Sequence, residues 1–563
     1  MTLKAPSRLG AGDATLFNAH PDDTERAARL LGWTRLCSAP PLPIAEIQAH
    51  ANVIRAEGLE AVVLIGQGGS SQAAMTITKL HEINGANGVA FRTMDSLSPT
   101  FVSHILGSSD PARTLYVVSS KSGSTIEPLM LERVAWHYVC GLLGQDAAAQ
   151  RFAAITDADS GLEQLAREKG YRLILTSPSN VGGRFSALTA FTLFPAALVG
   201  LDLEALIASV LKTEQDCARD DASNPALKLA CFLHGNYRAG RDKFSLVLPP
   251  SGQVFGLWVE QLVAESLGKE GRGILPNVEV DASILSVPRL DRSVITYEVG
   301  NCEGFRESIA HIDANIPRLC YNVSTPFEVF SRFVVWEYAI AFLGILMEVF
   351  PFDQPDVELT KRLVKELLAG VGSIDGSSGC LERVFGEGII GSLRVSSALL
   401  GSDGASVVGD ETELSVDQAL RTLFGSLKGG DYFALNAFLP FRGYGRREAL
   451  ERMRNRVASR LGVVSCLEIG PRYLHSTGQL HKGGPNTGVF LVLSADEDED
   501  ITVPDAGFTL GQLAATQAHA DFAALSQRGR RALHIHLRSN DSEVLSRFAD
   551  RLCAAVSAVK PLI

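Results

Sequence analysis

Four short apolar runs, each followed by a helical pattern, constrain this chain more than any other feature. AVVLIG (61–66) precedes a helix beginning near Gln72, and TLYVVSS (114–120) precedes one from about Ile126 to Leu143. FAAITD (152–157) precedes GLEQLAREKG, and RLILTS (172–177) precedes SALTAFTLFPAALVG. Apolar strands separated by helices predict a parallel sheet covered on both faces. Residues 51–220 therefore read as one doubly wound α/β domain, after an N-terminal helical lead-in over 1–50.

A second domain, 221–370, follows the polar stretch EQDCARDDASN. KFSLVLPP (243–250) is its clearest strand, and a long apolar helix near 327–349 helps to close it. FDQPD (352–356) breaks the chain before the amphipathic helix VELTKRLVKELLAG. Residues 371–408 are rich in Gly and Ser and are expected to form an irregular linker. From 409 to 563 the alternation resumes as a C-terminal α/β unit.

Composition narrows the function classes. The chain has 563 residues, 46% of them hydrophobic and 20% charged, which is enough for large cores and excludes wholesale disorder. A net charge of -11 argues against a general nucleic-acid or membrane-surface binder. The first residues carry no apolar signal region, so no leader is expected. FVVWEYAIAFLGILMEVF (333–350) contains Glu337 and Glu348 and reads as a buried core helix. Nine scattered cysteines without a CxxC pair point to reduced thiols in the cytoplasm, with neither a disulfide framework nor a zinc cluster.

Two loops at strand ends suit an anion. GQGGSS (66–71) offers glycine turns and a helix N-terminus, but Ser71 stands where a dinucleotide fingerprint needs glycine. That disfavours a nucleotide-binding oxidoreductase. SSKSGSTIEP (119–128) gathers Ser120, Ser122, Ser124 and Thr125 with Lys121, which suits a phosphomonoester. A plain strand-to-helix turn and a serine-rich helix cap are the bland readings. SPSNVGGRFS places Arg184 after a third strand.

GQGGSS, SKSGSTIEP, VGGRFS, WVEQLVAESLGK and FPFDQPDVELTK stand here in the order seen in glucose-6-phosphate isomerases. The chain resembles that family over about residues 50–370. GPRYLHSTGQLHKGGPNTG (470–488) resembles the isomerase half of fused transaldolase/glucose-6-phosphate isomerases. No transaldolase barrel precedes it, so a stand-alone isomerase of the fused type, or a fragment of a longer protein, is expected. The resemblance implies two doubly wound parallel-sheet sugar-isomerase domains plus the C-terminal α/β unit. It also implies a homodimer acting on a small-molecule sugar phosphate, with no cofactor or metal required.

Aldose–ketose isomerisation moves a proton between C1 and C2 of an open-chain sugar. By resemblance, Glu265 is the general base, a task that suits a partly buried carboxylate. Arg184 stabilises the enediolate, and Lys361 assists ring opening. Gly69, Ser70, Ser120, Lys121, Ser122 and Thr125 match phosphate- and sugar-binding positions, and Gln354 a substrate-contacting glutamine. The family's ring-opening histidine has no counterpart between Lys269 and His311, where 277–287 offers only Asp281, Ser283 and Ser286. His311 is a candidate for that role, with a structural histidine as its alternative. His475 and His481, spaced i, i+6, fit a loop with a GGPN turn. They also fit a cover over the sugar site, or a separate ligand site with Arg472 and Lys482. The expected reaction is reversible conversion of glucose 6-phosphate and fructose 6-phosphate through a cis-enediol. The alternatives are another phosphosugar such as mannose 6-phosphate, and a non-catalytic sugar-phosphate sensor.

Overall fold

The computed structural model describes residues 4–40, 43–83, 88–279, 281–299, 303–323, 325–368, 380–400, 414–439 and 446–562. The chain forms two compact units: Met1–Asp95, His104–Leu267 and Ile274–Asp353 in the first, and Ser96–Ser103, Gly268–Gly273 and Gln354–Ile563 in the second.

The first unit holds two parallel sheets. β1 (Ala61–Gly66), β2 (Ala90–Met94), β3 (Thr114–Ser119), β4 (Phe152–Asp157) and β5 (Leu173–Ser177) pair in the order β2-β1-β3-β4-β5. Every residue of β1 and β3 is buried, as expected of central strands with helices on both faces. β6 (Lys243–Val247), β7 (Leu275–Glu279), β8 (Arg292–Val299) and β9 (Arg318–Val323) form the second sheet, ordered β7-β6-β8-β9 and parallel throughout. Pro276 sits on β7 at an edge, where its missing N–H costs least.

The helix Pro326–Met347 runs through this unit's core. Its stretch Glu328–Met347 is long and apolar enough to cross a membrane by length and composition, yet most of it is buried inside the unit. Phe333 packs on Trp258 at 4.5 Å and Phe255 at 5.8 Å between ring centroids, and Trp336 Nε1 donates to Tyr297 Oη at 2.8 Å. Glu337 stays inside and accepts the N–H of Ala187. Burial pushes its carboxyl well above the usual range, against the pull of that hydrogen bond.

The second unit is built on a six-stranded mixed sheet ordered β10-β11-β15-β14-β12-β13. β12 (Tyr432–Phe438), β13 (Val464–Ile469), β14 (Gly488–Ala495) and β15 (Arg531–Leu537) are parallel. β10 (Leu381–Val384) and β11 (Ile390–Val395) add an antiparallel hairpin against β15. This corrects the expected irregular linker over 371–408. LERV and IGSLRV are short and half polar, and the Gly/Ser-rich flanks concealed them. Residues 371–379 and 401–408 lie outside the described residues. The helix Val357–Leu368 belongs to this unit and packs on Leu510–Gln527, so the division falls after Asp353 and not near 370. Among the described residues the cysteines form no disulfide.

HSTGQLHKGG, read above as a loop, includes a short helix, Gly478–Gly483. His481 on it is 1% exposed, ringed by Tyr432, Tyr473 and Phe490, and neither ring nitrogen has a hydrogen-bond partner among the described residues. Burial holds the imidazole neutral, its pKa well below the ordinary value, with Lys482 and Arg530 adding repulsion.

Two outcomes follow from these cores. Phe333→Ala should cost about 3–5 kcal/mol through the cavity it leaves, read as a lower urea midpoint at unchanged m. Because the unfolded chain protonates His481 more readily than the folded one, stability should fall as pH drops below about 6.5. His481→Phe should flatten that acid limb by up to about 1.4 kcal/mol per pH unit in chemical denaturation. His534, buried and neutral likewise, leaves a residual slope.

Candidate active site

The anion-suited loops fold as tight backbone turns. β1 runs into Gly68–Ser70, and a Cβ on Gly69 would meet the Gly183 carbonyl. Only glycine lets this turn touch the turn that carries Arg184. Gln67 Nε2 donates to the Asp95 carbonyl at 2.8 Å, and Ser119 Oγ donates to the Ser70 carbonyl at 2.6 Å. Ser70 is buried by these contacts.

After β3, Ser120 is buried and its Oγ has no hydrogen-bond partner among the described residues. Lys121 Nζ sits on Asp157 at 2.6 and 2.7 Å and on the Pro178 carbonyl at 3.2 Å. Its charge is thus shared with a carboxylate, which the sequence reading did not foresee. Burial raises the Asp157 carboxyl, and the Lys121 pairing opposes that rise. Gly123, at φ 61°, turns the chain so that Ser122 and Ser124 stand exposed, with their hydroxyls 3.0 Å apart. Thr125 is the N-cap of the helix Ile126–Leu143, but its side chain makes no cap hydrogen bond. Hydroxyls and helix N–H groups therefore gather at one strand end, as an anionic ester requires.

Arg184 is buried and held by several acceptors. It lies in the turn Gly183–Phe185 and is 5% exposed. Nε donates to Ser266 Oγ at 2.8 Å, and Nη2 donates to the carbonyls of Pro351 at 2.7 Å and Asp353 at 2.9 Å. Nη1 lies 3.6 Å from Glu265 Oε2. Burial lowers the guanidinium pKa, while Glu265 and Asp353 raise it.

Glu265 sits on the helix Gln253–Leu267 and is also buried. Gln261, one turn earlier, donates Nε2 to Glu265 Oε2 at 3.1 Å, and its own Oε1 has no partner among the described residues. Oε2 is thus engaged by both the amide and Arg184, and no hydrogen bond to Oε1 comes from the described residues. Sequence reading named Glu265 and Arg184 but missed Gln261, Ser266 and Asp157. The i, i+4 spacing of Gln261 to Glu265 was a usable signal; the partners of Lys121 and Arg184 come from distant segments and left none.

Other expected residues have local settings of their own. His311 is exposed after the helix Glu303–Ala310, with its Nδ1 2.7 Å from the Glu307 carbonyl. Asp281 caps the turn Ala282–Leu285 by accepting the Ser283 N–H at 2.8 Å. Gln354 and Lys361 belong to the second unit, where Lys361 is half-exposed and its Nζ lies 2.7 Å from Glu358 Oε1. In the same unit Arg472 and His475 bound a short turn, and Lys482 is buried against Asp521 at 2.5 Å.

The sequence has relatives of known name. The Phosphoglucose isomerase family profile matches residues 51–270. Glucose-6-phosphate isomerase of Acetivibrio thermocellus is 30% identical over 384 residues, 58% of this chain and 84% of that protein. The enzyme of the same name from Parabacteroides distasonis is 29% identical over 415 residues, 63% of this chain and 90% of that protein. The crystal structure of a hypothetical protein of Thermus thermophilus superposes with a TM-score of 0.55 at 25% identity, covering 65% of this chain and 97% of that one. Five motifs in order, a buried acid–guanidinium pair in the same unit as a serine loop, and relatives matched over most of their length converge on one statement: the chain belongs to the glucose-6-phosphate isomerase family.

Proposed function

We propose that this enzyme interconverts glucose 6-phosphate and fructose 6-phosphate by moving one proton between C1 and C2 through a cis-enediol. The observation that carries the reading is the buried Glu265–Arg184 pair, with the serine loop in the same unit. Glu265 acts as the base. With Oε2 held by Gln261 and Arg184, Oε1 is the oxygen left to receive the proton and return it. Arg184 keeps its charge and faces the developing enediolate from a site that excludes water. Its donors are fixed by Ser266, Pro351 and Asp353, so little reorganisation accompanies the reaction.

The phosphate is gripped by Ser120, Ser122 and Thr125 at the helix N-terminus, with Ser70 and the Gly69 turn at the neighbouring strand end. Lys121 contributes through its Asp157-bound ammonium. The reading gives Lys361 the ring-opening step and Gln354 a substrate hydroxyl, on the family resemblance. His311, exposed on the β8–β9 connection, receives no role. The same resemblance supports a homodimer, and the scattered cysteines support a cytoplasmic location.

Glu265→Gln should lower kcat by about 10²–10⁴ with KM changed far less, in a coupled assay with fructose 6-phosphate. Undiminished turnover in that variant removes the assignment of the base. Ser122→Glu puts a carboxylate on an exposed position of the serine loop. It should raise KM for fructose 6-phosphate about tenfold or more, equivalent to about 1.4 kcal/mol or more, while the melting temperature changes little. An unchanged KM would detach this loop from the phosphate.

A further inference from the structure

A second polar cavity lies wholly within the second unit. It measures about 380 Å³, within the usual size of a small-ligand site. Its wall includes Arg530, Arg528, Lys482, Asn486, Glu270 and Asp356, none of which belongs to the Glu265–Arg184 group.

Two of the three cations on this wall are paired with carboxylates. Arg528 Nη2 is paired with Asp356 Oδ1 at 2.5 Å. Lys482 Nζ is paired with the buried Asp521 at 2.5 Å, and Tyr473 Oη donates to the other oxygen of that carboxylate. Arg530 is different. It is 5% exposed, and its Nη2 donates to the carbonyls of Lys482 at 2.6 Å and Gly484 at 2.7 Å. Its Nε has no hydrogen-bond partner, and among the described residues no carboxylate lies within ion-pair distance of it. A guanidinium cannot shed its proton to escape burial, as a lysine can. Burial works against its charge, with Asp356 and Tyr432 acting in its favour from beyond ion-pair distance and Arg528 against it, so a closer anionic partner would relieve a real cost. Here the open side of the residue is a cavity.

The rest of the wall limits what can enter. Asn486 stands exposed at the cavity, tied to the Gly529 carbonyl at 3.3 Å through Nδ2. A Cβ on Gly483 would meet Asp356 Oδ2, so bare backbone lines this part of the wall. Glu270 and Asp356 on the wall disfavour a polyanion by like charge. One tetrahedral oxyanion on a small organic body suits a single guanidinium of which only Nη2 is held, by two carbonyls.

We propose that this cavity is a second binding site of the chain, taking a small phosphate monoester whose phosphate rests on Arg530. The proposal does not depend on the isomerase reading.

The test is thermal unfolding of the full chain carrying Ser122→Glu, which disables phosphate binding at the serine loop. Inorganic phosphate at about 10 mM, compared with chloride and acetate at equal ionic strength, is expected to raise the melting temperature by about 2 °C or more. Adding Asn486→Glu should abolish that shift, because it brings a carboxylate to the cavity. Adding Arg530→Gln should abolish it as well. If Arg530→Gln fails to fold, Asn486→Glu decides alone. No phosphate shift in the Ser122→Glu chain, an equal shift with acetate, or a shift surviving Asn486→Glu would each overturn the proposal. If wild type and Ser122→Glu respond to phosphate identically while Asn486→Glu abolishes the response, the serine-loop reading falls and this one stands.

Discussion

A buried guanidinium has to be surrounded by acceptors, and that requirement organises the first unit. Arg184 collects a hydroxyl from the helix Gln253–Leu267, two carbonyls from 351–353 and the Glu265 carboxylate. Those residues lie 81 to 169 positions away along the chain. Each contact satisfies a donor that would otherwise be left dry in the interior, where an unmade hydrogen bond costs more than a made one gains. The same contacts leave the arginine no freedom to swing. The turn carrying it is held from behind, because the N–H of Ala187 ends on the buried carboxyl of Glu337. The residue proposed to meet developing charge is thereby fixed before any sugar arrives.

The second unit handles its buried charges in a different way. Asp521 and Asp356 each accept from two groups: Asp521 from Tyr473 and Lys482, and Asp356 from Gln479 and Arg528. Removing one partner of such a set leaves the other exposed to a low-dielectric interior. His481 sits beside this network as a neutral ring among aromatic faces. Burial in that setting favours the uncharged form, so the region is tuned to neutral and alkaline conditions.

Much of the architecture was legible in the residues, for a physical reason. The central strands β1, β3, β4, β12 and β14 are covered on both faces, so they read as unbroken apolar runs. Edge and half-exposed strands gave no such signal. β2 is buried at only two of its five positions, and β9 alternates between exposed and partly exposed residues. β7 carries a proline and β10 two charges. At the site, Glu265, Arg184 and the serine loop were legible because motif order marks them. The groups that complete the site were hidden, since Asp157 meets Lys121 and Ser266 meets Arg184 only after folding. The charge on Lys121 was visible in the sequence; its neutralisation was not.

The hairpin of β10 and β11 has a consequence for how the second unit meets other molecules. Without it, β15 would present a row of unpaired backbone groups along its open side, a ready template for a foreign strand. β11 occupies that row. β10, which then becomes the outermost strand, is only four residues long and carries Glu382 and Arg383. So brief a ladder, with a charge of each sign at its middle, offers an approaching polypeptide little to zip onto. A segment rich in glycine and serine on both sides thus contributes the fold's guard against runaway self-association.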